Sequence, residues 1–366
     1  MPNMKILVVM NAKEVRLGGG IIQVIMNLKT AFKQVDEFQF DYAINAQSDS
    51  GLESLLRDGK SKFFDLPNKS NNLIGYCCKL IKICKQGKYD AIHVHGSSST
   101  MVLELFCAYL AGIKKRIAHS HNSQCSHPKI NKIFNPFLKC LSTDKLACSK
   151  IAGEWLFGKN NFAVIHNAFD IDKYKFNMKH RQEQRKSRAI SNNQLVLGMV
   201  GNLNEQKNPM FSLELFGEVS KHIDSRLIYI GDGPLREELI KRANELGIQD
   251  KVVLEGVRND VWNELQMVDV FLFPSKFEGL GISILEAQIA GCYCLASINV
   301  PKETRYADDT KYLHIDKIDC WLECILNYKK DDTKRKMMSD ITLNRIAEDY
   351  DLDREMNKLI RIYRDR

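Results

Sequence analysis

Two carboxylates frame one stretch of this chain, E-G-L-G-I-S-I-L-E-A, which runs from Glu278 through seven residues to Glu286. Gly279 and Gly281 let the backbone come close to a ligand. The free amides of a helix starting near Ile282 attract anions such as phosphate. Glu278 and Glu286 would repel a phosphate and must serve something else. Ionised carboxylates are strong acceptors, so sugar hydroxyls are their natural partners. A phosphate site between two hydroxyl sites describes a nucleotide sugar, with ribose on one side and hexose on the other.

Local elements must hold those groups. Val270 to Phe273 reads as a buried strand that Pro274 and Ser275 end. The helix carries Glu286 about one turn inside, Gly291 closes it, and Cys292 to Ala296 is the next strand. With Glu278, Gly279, Leu280, Gly281 and Glu286, the stretch resembles the signature of family-4 retaining glycosyltransferases. That resemblance implies that Glu278 contacts the donor sugar and Glu286 the ribose.

Upstream, Leu195 to Val200 begins a second sheet, followed by G-N-L-N-E-Q-K-N and a helix from Pro209. This segment resembles the family's diphosphate-gripping loop with one departure: Asn202 stands where the family usually has arginine, while Lys207 remains. A diphosphate that loses one bidentate cation binds less tightly unless another basic residue substitutes. Arg226 to Ile230, then G-D-G-P, and Val252 to Glu255 continue the alternation. Arg258 falls where the family meets the nucleotide base, through its backbone or its side chain.

The first half alternates similarly. Lys5 to Met10 is a continuously apolar strand, as in a parallel sheet covered on both faces. A loop with Gly18, Gly19 and Gly20 precedes a helical pattern over Ile21 to Phe32, the ingredients of a phosphate or sugar cradle. In the resembled family this loop lies against the acceptor and the donor phosphates. Further strands are expected at Phe38 to Ala43, Lys62 to Leu66, Ala91 to Val94, Arg116 to His119, Lys145 to Ala147 and Ala163 to Ile165. His119 and His121, in R-I-A-H-S-H-N, end one of them. By resemblance to enzymes building bacterial exopolysaccharide and O-antigen, His121 is the first candidate for the donor-sugar contact and His119 the second. His95 borders the same strand ends, and His93 is expected to face the core. No cysteine–histidine pair near them completes a four-ligand zinc site, and Asp170 and Asp172 read as turn and cap residues.

The expected fold is α/β of the GT-B type: two Rossmann-like, doubly wound domains facing across a cleft. Residues 1–170 form the acceptor-binding domain, with a C-terminal helix at about 349–366 packing back on it. Residues 171–348 bind the nucleotide sugar and include a highly polar linker at 173–193. The resemblance implies Glu278, His121 and Lys207 as catalytic residues. It implies Gly19, Gly20, His119, Asn202, Arg258, Gly279, Leu280, Gly281 and Glu286 as donor-binding residues. The substrate is a UDP-sugar or other NDP-sugar, and no metal or other cofactor is required. The acceptor is a glycan or lipid-linked oligosaccharide of surface polysaccharide biosynthesis. A nucleotide-sugar epimerase of similar shape and a catalytically silent sugar-nucleotide binder remain open.

Composition bounds the rest. A chain of 366 residues with 44% hydrophobic and 27% charged residues suits two globular domains. Eleven cysteines without a C-x-x-C pair suit reduced thiols in the cytoplasm, and Cys77, Cys78, Cys84 and Cys107 read as core. The N-terminus reads as a first strand and not a signal peptide. Residues 1–170 hold 22 Lys and Arg against 13 Asp and Glu, a net of +9, and residues 171–366 hold 31 against 32. Lys79, Lys82, Lys85 and Lys88 recur every third residue on an apolar helix. They predict a peripheral, salt-sensitive seat on the anionic inner face of the cell membrane, without nucleic acid as partner.

Overall fold

Strand and helix alternate through most of the described residues because each buried parallel strand needs a crossover connection to reach its neighbour. The computed structural model describes residues 4–11, 37–45, 60–125, 127–159 and 161–365. The predicted loop of Gly18, Gly19 and Gly20 and its following helix lie outside the described residues. Two units emerge: Met1–Phe169 with Leu352–Arg366, and Asp170–Asp351.

The first unit contains β1 (Met4–Asn11), β2 (Phe38–Asn45), β3 (Phe63–Leu66), α1 (Leu73–Gly87), β4 (Ala91–Gly96) and α2 (Val102–Leu110). It continues with β5 (Lys115–Ser120), α3 (Pro128–Leu141), β6 (Asp144–Ala147), α4 (Lys150–Phe157) and β7 (Ala163–Val164). The strands form one sheet in the order β3-β2-β1-β4-β5-β6-β7, with parallel pairing throughout. One face packs Tyr76, Leu80, Leu105 and Leu138 from α1, α2 and α3. The other packs Met356, Leu359 and Tyr363, which belong to the C-terminal helix Leu352–Arg364. Of the four cysteines read as core, Cys84 and Cys107 are buried, Cys77 is half-buried and Cys78 is exposed. Cys78 faces water because it lies on the helix face opposite Leu80 and Ile83.

The second unit contains α5 (Met178–Ser187), β8 (Leu195–Val200), α6 (Pro209–Val219), β9 (Ser225–Ile230), α7 (Arg236–Glu245), β10 (Val252–Gly256) and α8 (Val261–Glu264). After these come β11 (Val270–Phe273), α9 (Ile282–Ile289), β12 (Tyr293–Ser297), β13 (Lys311–Leu313), α10 (Ile318–Leu326) and α11 (Asp332–Tyr350). The C-terminal helix of the first unit is α12. The sheet order β10-β9-β8-β11-β12-β13 repeats the winding of the first sheet.

The polar stretch expected to be a linker is ordered structure in its middle. Residues 178–187 form α5, and Arg181 and Arg185 are buried beneath it. Arg181 Nη2 donates to Asp269 Oδ1 at 2.5 Å and Arg185 Nη1 to Asp269 Oδ2 at 3.2 Å. Asp269 also accepts from the Val196 amide at 2.9 Å. Burial alone would raise the Asp269 pKa, but Arg181, Lys330 and Arg185 together hold it below its ordinary value. A charged helix is thus fixed to strands of the second unit by ion pairing, without an apolar face.

Candidate nucleotide-sugar site

The second sheet reverses its winding between β8 and β11, which pair directly at Val270 with Leu197 and Phe271 with Gly198. Loops leaving adjacent strands at such a switch diverge and open a crevice at their carboxyl ends. Here they are residues 201–208 after β8 and 274–281 after β11. Backbone and amide bonds suture them. The Lys276 amide donates to the Gln206 carbonyl at 2.8 Å, Gln206 Nε2 to the Phe277 carbonyl at 3.1 Å, and Asn208 Nδ2 to the Pro274 carbonyl at 3.3 Å.

Glycine is required where backbones touch. Gly201 and Gly231 have φ of +146° and +143°, and a Cβ on Gly231 would lie 2.0 Å from the Gly201 carbonyl oxygen. Gly281 caps α9 with φ +93°, and its Cβ would meet the Phe273 ring at 2.9 Å. A side chain at Gly231 would force apart the turns that follow β8 and β9, and one at Gly281 would tilt the helix start.

The charged groups gather around this junction. Lys207 Nζ lies 2.7 Å from Glu278 Oε1 and 4.7 Å from the centre of the Phe273 ring. Glu278 is 5% exposed and Glu286 9%. Glu286 Oε1 accepts a 2.6 Å hydrogen bond from the Tyr174 hydroxyl. Burial pushes the Glu286 carboxyl up to about 7, although the Tyr174 hydroxyl and Lys207 pull it down. Two buried carboxylates, one lysine and the start of an eight-residue helix are what an anion flanked by hydroxyls needs.

Residues 180–344 match the family Glycosyl transferases group 1. The second unit carries a group 1 glycosyl transferase domain. The chain is 25% identical over 363 residues to the putative glycosyltransferase EpsF of Bacillus subtilis, covering 94% of this chain and 93% of that protein. It is 28% identical over 364 residues to an Escherichia coli protein named UDP-Gal:alpha-D-GlcNAc-diphosphoundecaprenol alpha-1,3-galactosyltransferase, with 91% of each covered. Among solved structures, Anabaena Alr3699/HepE in complex with UDP and glucose superposes with a TM-score of 0.78 at 17% identity, covering 98% of both chains. WaaG, a glycosyltransferase involved in lipopolysaccharide biosynthesis, gives 0.73 at 16% identity, covering 98% of this chain and all of the other. The fold of two parallel Rossmann-like domains is therefore that of the GT-B glycosyltransferases.

Within the group 1 domain, Lys207, Glu278, Gly279, Leu280, Gly281 and Glu286 share the β8–β11 junction. Asn202 begins the first loop, with its Oδ1 against Gly233, where a Cβ would approach to 2.5 Å. Arg258 stands further along and is engaged. Its Nε and Nη2 hold Asp260 at 3.0 and 3.1 Å, and Nη2 reaches Glu264 at 3.1 Å. Sequence reasoning missed Tyr174, which closes Glu286 from a short 3-10 turn at Ile171–Tyr174. A tyrosine just after D-I-D carries no motif, and only the fold brings it to α9.

In the first unit, four imidazoles stack at the carboxyl ends of β4 and β5, where His95 pairs with His119 in register. His95 Nδ1 lies 2.9 Å from His121 Nε2, and His93 Nε2 lies 3.2 Å from His119 Nδ1. His93 Nδ1 meets the Tyr363 hydroxyl of α12 at 2.7 Å, so His93 faces the core. Burial lowers the pKa of His93 and His121 to about 3, and those of His95 and His119 well below the ordinary value. All four are therefore neutral at pH 7. His93, His95 and His119 each offer a nitrogen within 4.8 Å of the others, the one histidine, cysteine and carboxylate cluster of that spacing among the described residues. The buried Nε2 of His95, Nε2 of His119 and Nδ1 of His121 find no partner among the described residues.

Proposed function

We propose that the protein is a retaining glycosyltransferase that moves a hexosyl or N-acetylhexosaminyl group from a UDP-sugar to a lipid-linked oligosaccharide in bacterial surface polysaccharide biosynthesis. The observation that carries it is the Lys207–Glu278 pair at 2.7 Å beside the Gly281-capped start of α9. The departing diphosphate meets the α9 amides and Lys207, which stabilise the charge that develops as the glycosidic bond breaks. Glu278 accepts from hydroxyls of the transferred sugar once Lys207 turns to phosphate. Glu286 accepts from the ribose. His121 contacts the donor sugar, with His119 behind it. Only one carboxylate serves the reacting sugar, so the paired carboxylates of a hydrolase are not assembled and the departing phosphate itself takes the acceptor's proton.

The Anabaena structure with UDP and glucose and the Escherichia coli relative's name both support a uridine donor. The names of that relative and of a Campylobacter jejuni diphospho-undecaprenol glycosyltransferase, 25% identical over 129 residues, support a lipid diphosphate acceptor. Asn202, in place of a bidentate cation, favours a silent binder as the second reading. A thermal-shift panel of nucleotide sugars tests the donor. A ligand at 100 times its dissociation constant adds about 2.7 kcal/mol of stability. Stabilisation by UDP and at least one UDP-sugar is expected, and no response to any nucleoside diphosphate would remove the reading.

A further inference from the structure

The four imidazoles of the first unit come from two H-x-H segments, His93 with His95 in β4 and His119 with His121 at the end of β5. Side chains two residues apart on a strand share a face. His95 pairs in register with His119, so both segments project to the same face of the sheet. The His121 amide donates to the Gly96 carbonyl at 2.9 Å, which carries the ladder one residue past β5. The face is the one covered by α12, whose Tyr363 meets His93.

The rings form two layers. His93 and His119 meet at 3.2 Å in one, and His95 and His121 at 2.9 Å in the other. His93 lies over His95 with ring centres 4.1 Å apart, and His119 over His121 at 4.3 Å. These contacts and the Tyr363 hydroxyl leave three ring nitrogens, all buried, without a partner among the described residues. Buried polar atoms of that kind cost free energy until something binds them.

The pattern of engaged nitrogens is the one a metal requires. His93 Nδ1 faces the Tyr363 hydroxyl and His95 Nδ1 faces His121 Nε2. Each can donate its proton there, as metal-bound histidines do through their second nitrogen. The Nε2 lone pairs of His93 and His95 then serve an ion, and neutral imidazole is the commonest metal ligand. His119 Nδ1 lies 3.2 Å from His93 Nε2. Two nitrogens on a tetrahedral zinc stand about 3.3 Å apart. One nitrogen from each of His93, His95 and His119 falls within 4.8 Å of the others.

We propose that His93, His95 and His119 bind one divalent transition-metal ion, zinc by preference, with a fourth position left open. Three imidazoles suit zinc and also accept nickel or copper. The ion fixes the protons of the cluster. With zinc on His95 Nε2, the His95 proton sits on Nδ1 and donates to His121 Nε2. The His121 proton is then on Nδ1, which makes that nitrogen a donor. This last step deepens the donor-sugar contact proposed above for His121 and rests on it, whereas the metal site itself does not.

Metal analysis and cobalt spectroscopy of the full, untagged chain test the site without any sugar. The parent should hold about one zinc per chain, lose it to a chelator, and then take up cobalt with the intense visible bands of a four-coordinate site. His95→Gln should abolish uptake. Tyr363→Phe, which keeps the ring packing, should weaken zinc about 10- to 100-fold. A glutamine at exposed His222 should change nothing. In the zinc-loaded parent, nitrogen NMR should place the His121 proton on Nδ1. Should His95→Gln fail to fold, the parent's cobalt spectrum and Tyr363→Phe still decide. No uptake of zinc or cobalt by the parent, or uptake unchanged in a folded His95→Gln or in Tyr363→Phe, would overturn the proposal. Metal uptake without any thermal response to UDP would remove the nucleotide-sugar reading alone, and a UDP response without metal uptake would remove the metal site alone.

Discussion

Lys207 Nζ and Glu278 Oε1 lie 2.7 Å apart, on the loops that follow the neighbouring strands β8 and β11, with 17% and 6% of their side chains exposed. Such a pair contributes little net stability, because the cost of taking both charges out of water offsets their attraction. The pair is therefore better explained as a site held ready than as a structural tie. Lys207→Ala should weaken binding of UDP far more than of uridine. Calorimetry with both ligands checks this, and equal losses would exclude a phosphate role for Lys207.

The Glu286 carboxyl is pushed by burial up to about 7, so the ribose contact proposed for it should make UDP binding depend on pH. A carboxyl with a raised folded pKa stabilises the free protein in its protonated form. That contribution is full below the unfolded value of 4.5 and is lost as pH rises through about 7. The ionised form is the better ribose acceptor, so UDP affinity should rise between about pH 6 and 8, with a proton released on binding. Calorimetry in buffers of different ionisation enthalpy measures that proton. Glu286→Gln should flatten the profile, and a profile unchanged by it would assign the titration elsewhere.

Tyr174 pulls Glu286 the other way, because its hydroxyl bonds the ionised carboxylate. Tyr174→Phe should move the affinity profile to higher pH and weaken UDP binding at pH 7, with little loss at pH 9. A uniform loss at all pH values would mean that Tyr174 shapes the pocket and not the charge.

Asp269 anchors α5 through Arg181 and Arg185 and accepts from β8. Asp269→Asn leaves buried Arg185 without its acid and takes one of the two acids facing Arg181, the other being Asp332 at 3.0 Å, and should cost about 3–5 kcal/mol of the second unit's stability. Urea unfolding gives the value, and a loss under about 1 kcal/mol would show the pairs to be solvent-compensated.

The parallel strands were legible because burial on both faces writes them as unbroken apolar runs. Val270–Phe273 and Leu195–Val200 fall where that pattern predicts. Lys311–Leu313 was not, since three residues at a sheet edge carry no period. The helix at 178–187 hid behind its polarity: its buried arginines meet an acid far along the chain, which composition does not reveal. At the β8–β11 junction the glycines and glutamates were legible because a strand, a glycine turn and a helix start follow one another within a few residues. Tyr174 and the His95–His121 contact were not, because only strand order and helix placement create them.

The central claim is that the junction of Lys207, Glu278 and α9 transfers a sugar. The most direct measurement follows a labelled UDP-hexose incubated with a lipid diphosphate-linked acceptor, comparing the parent with Glu278→Gln and reading the anomeric configuration of the product. The account predicts label in the acceptor with the donor's configuration retained. It predicts turnover lower by on the order of a hundredfold or more in Glu278→Gln, with UDP affinity little changed. Release of an epimerised nucleotide sugar, an inverted linkage, or near-parental transfer by a folded Glu278→Gln protein would contradict it.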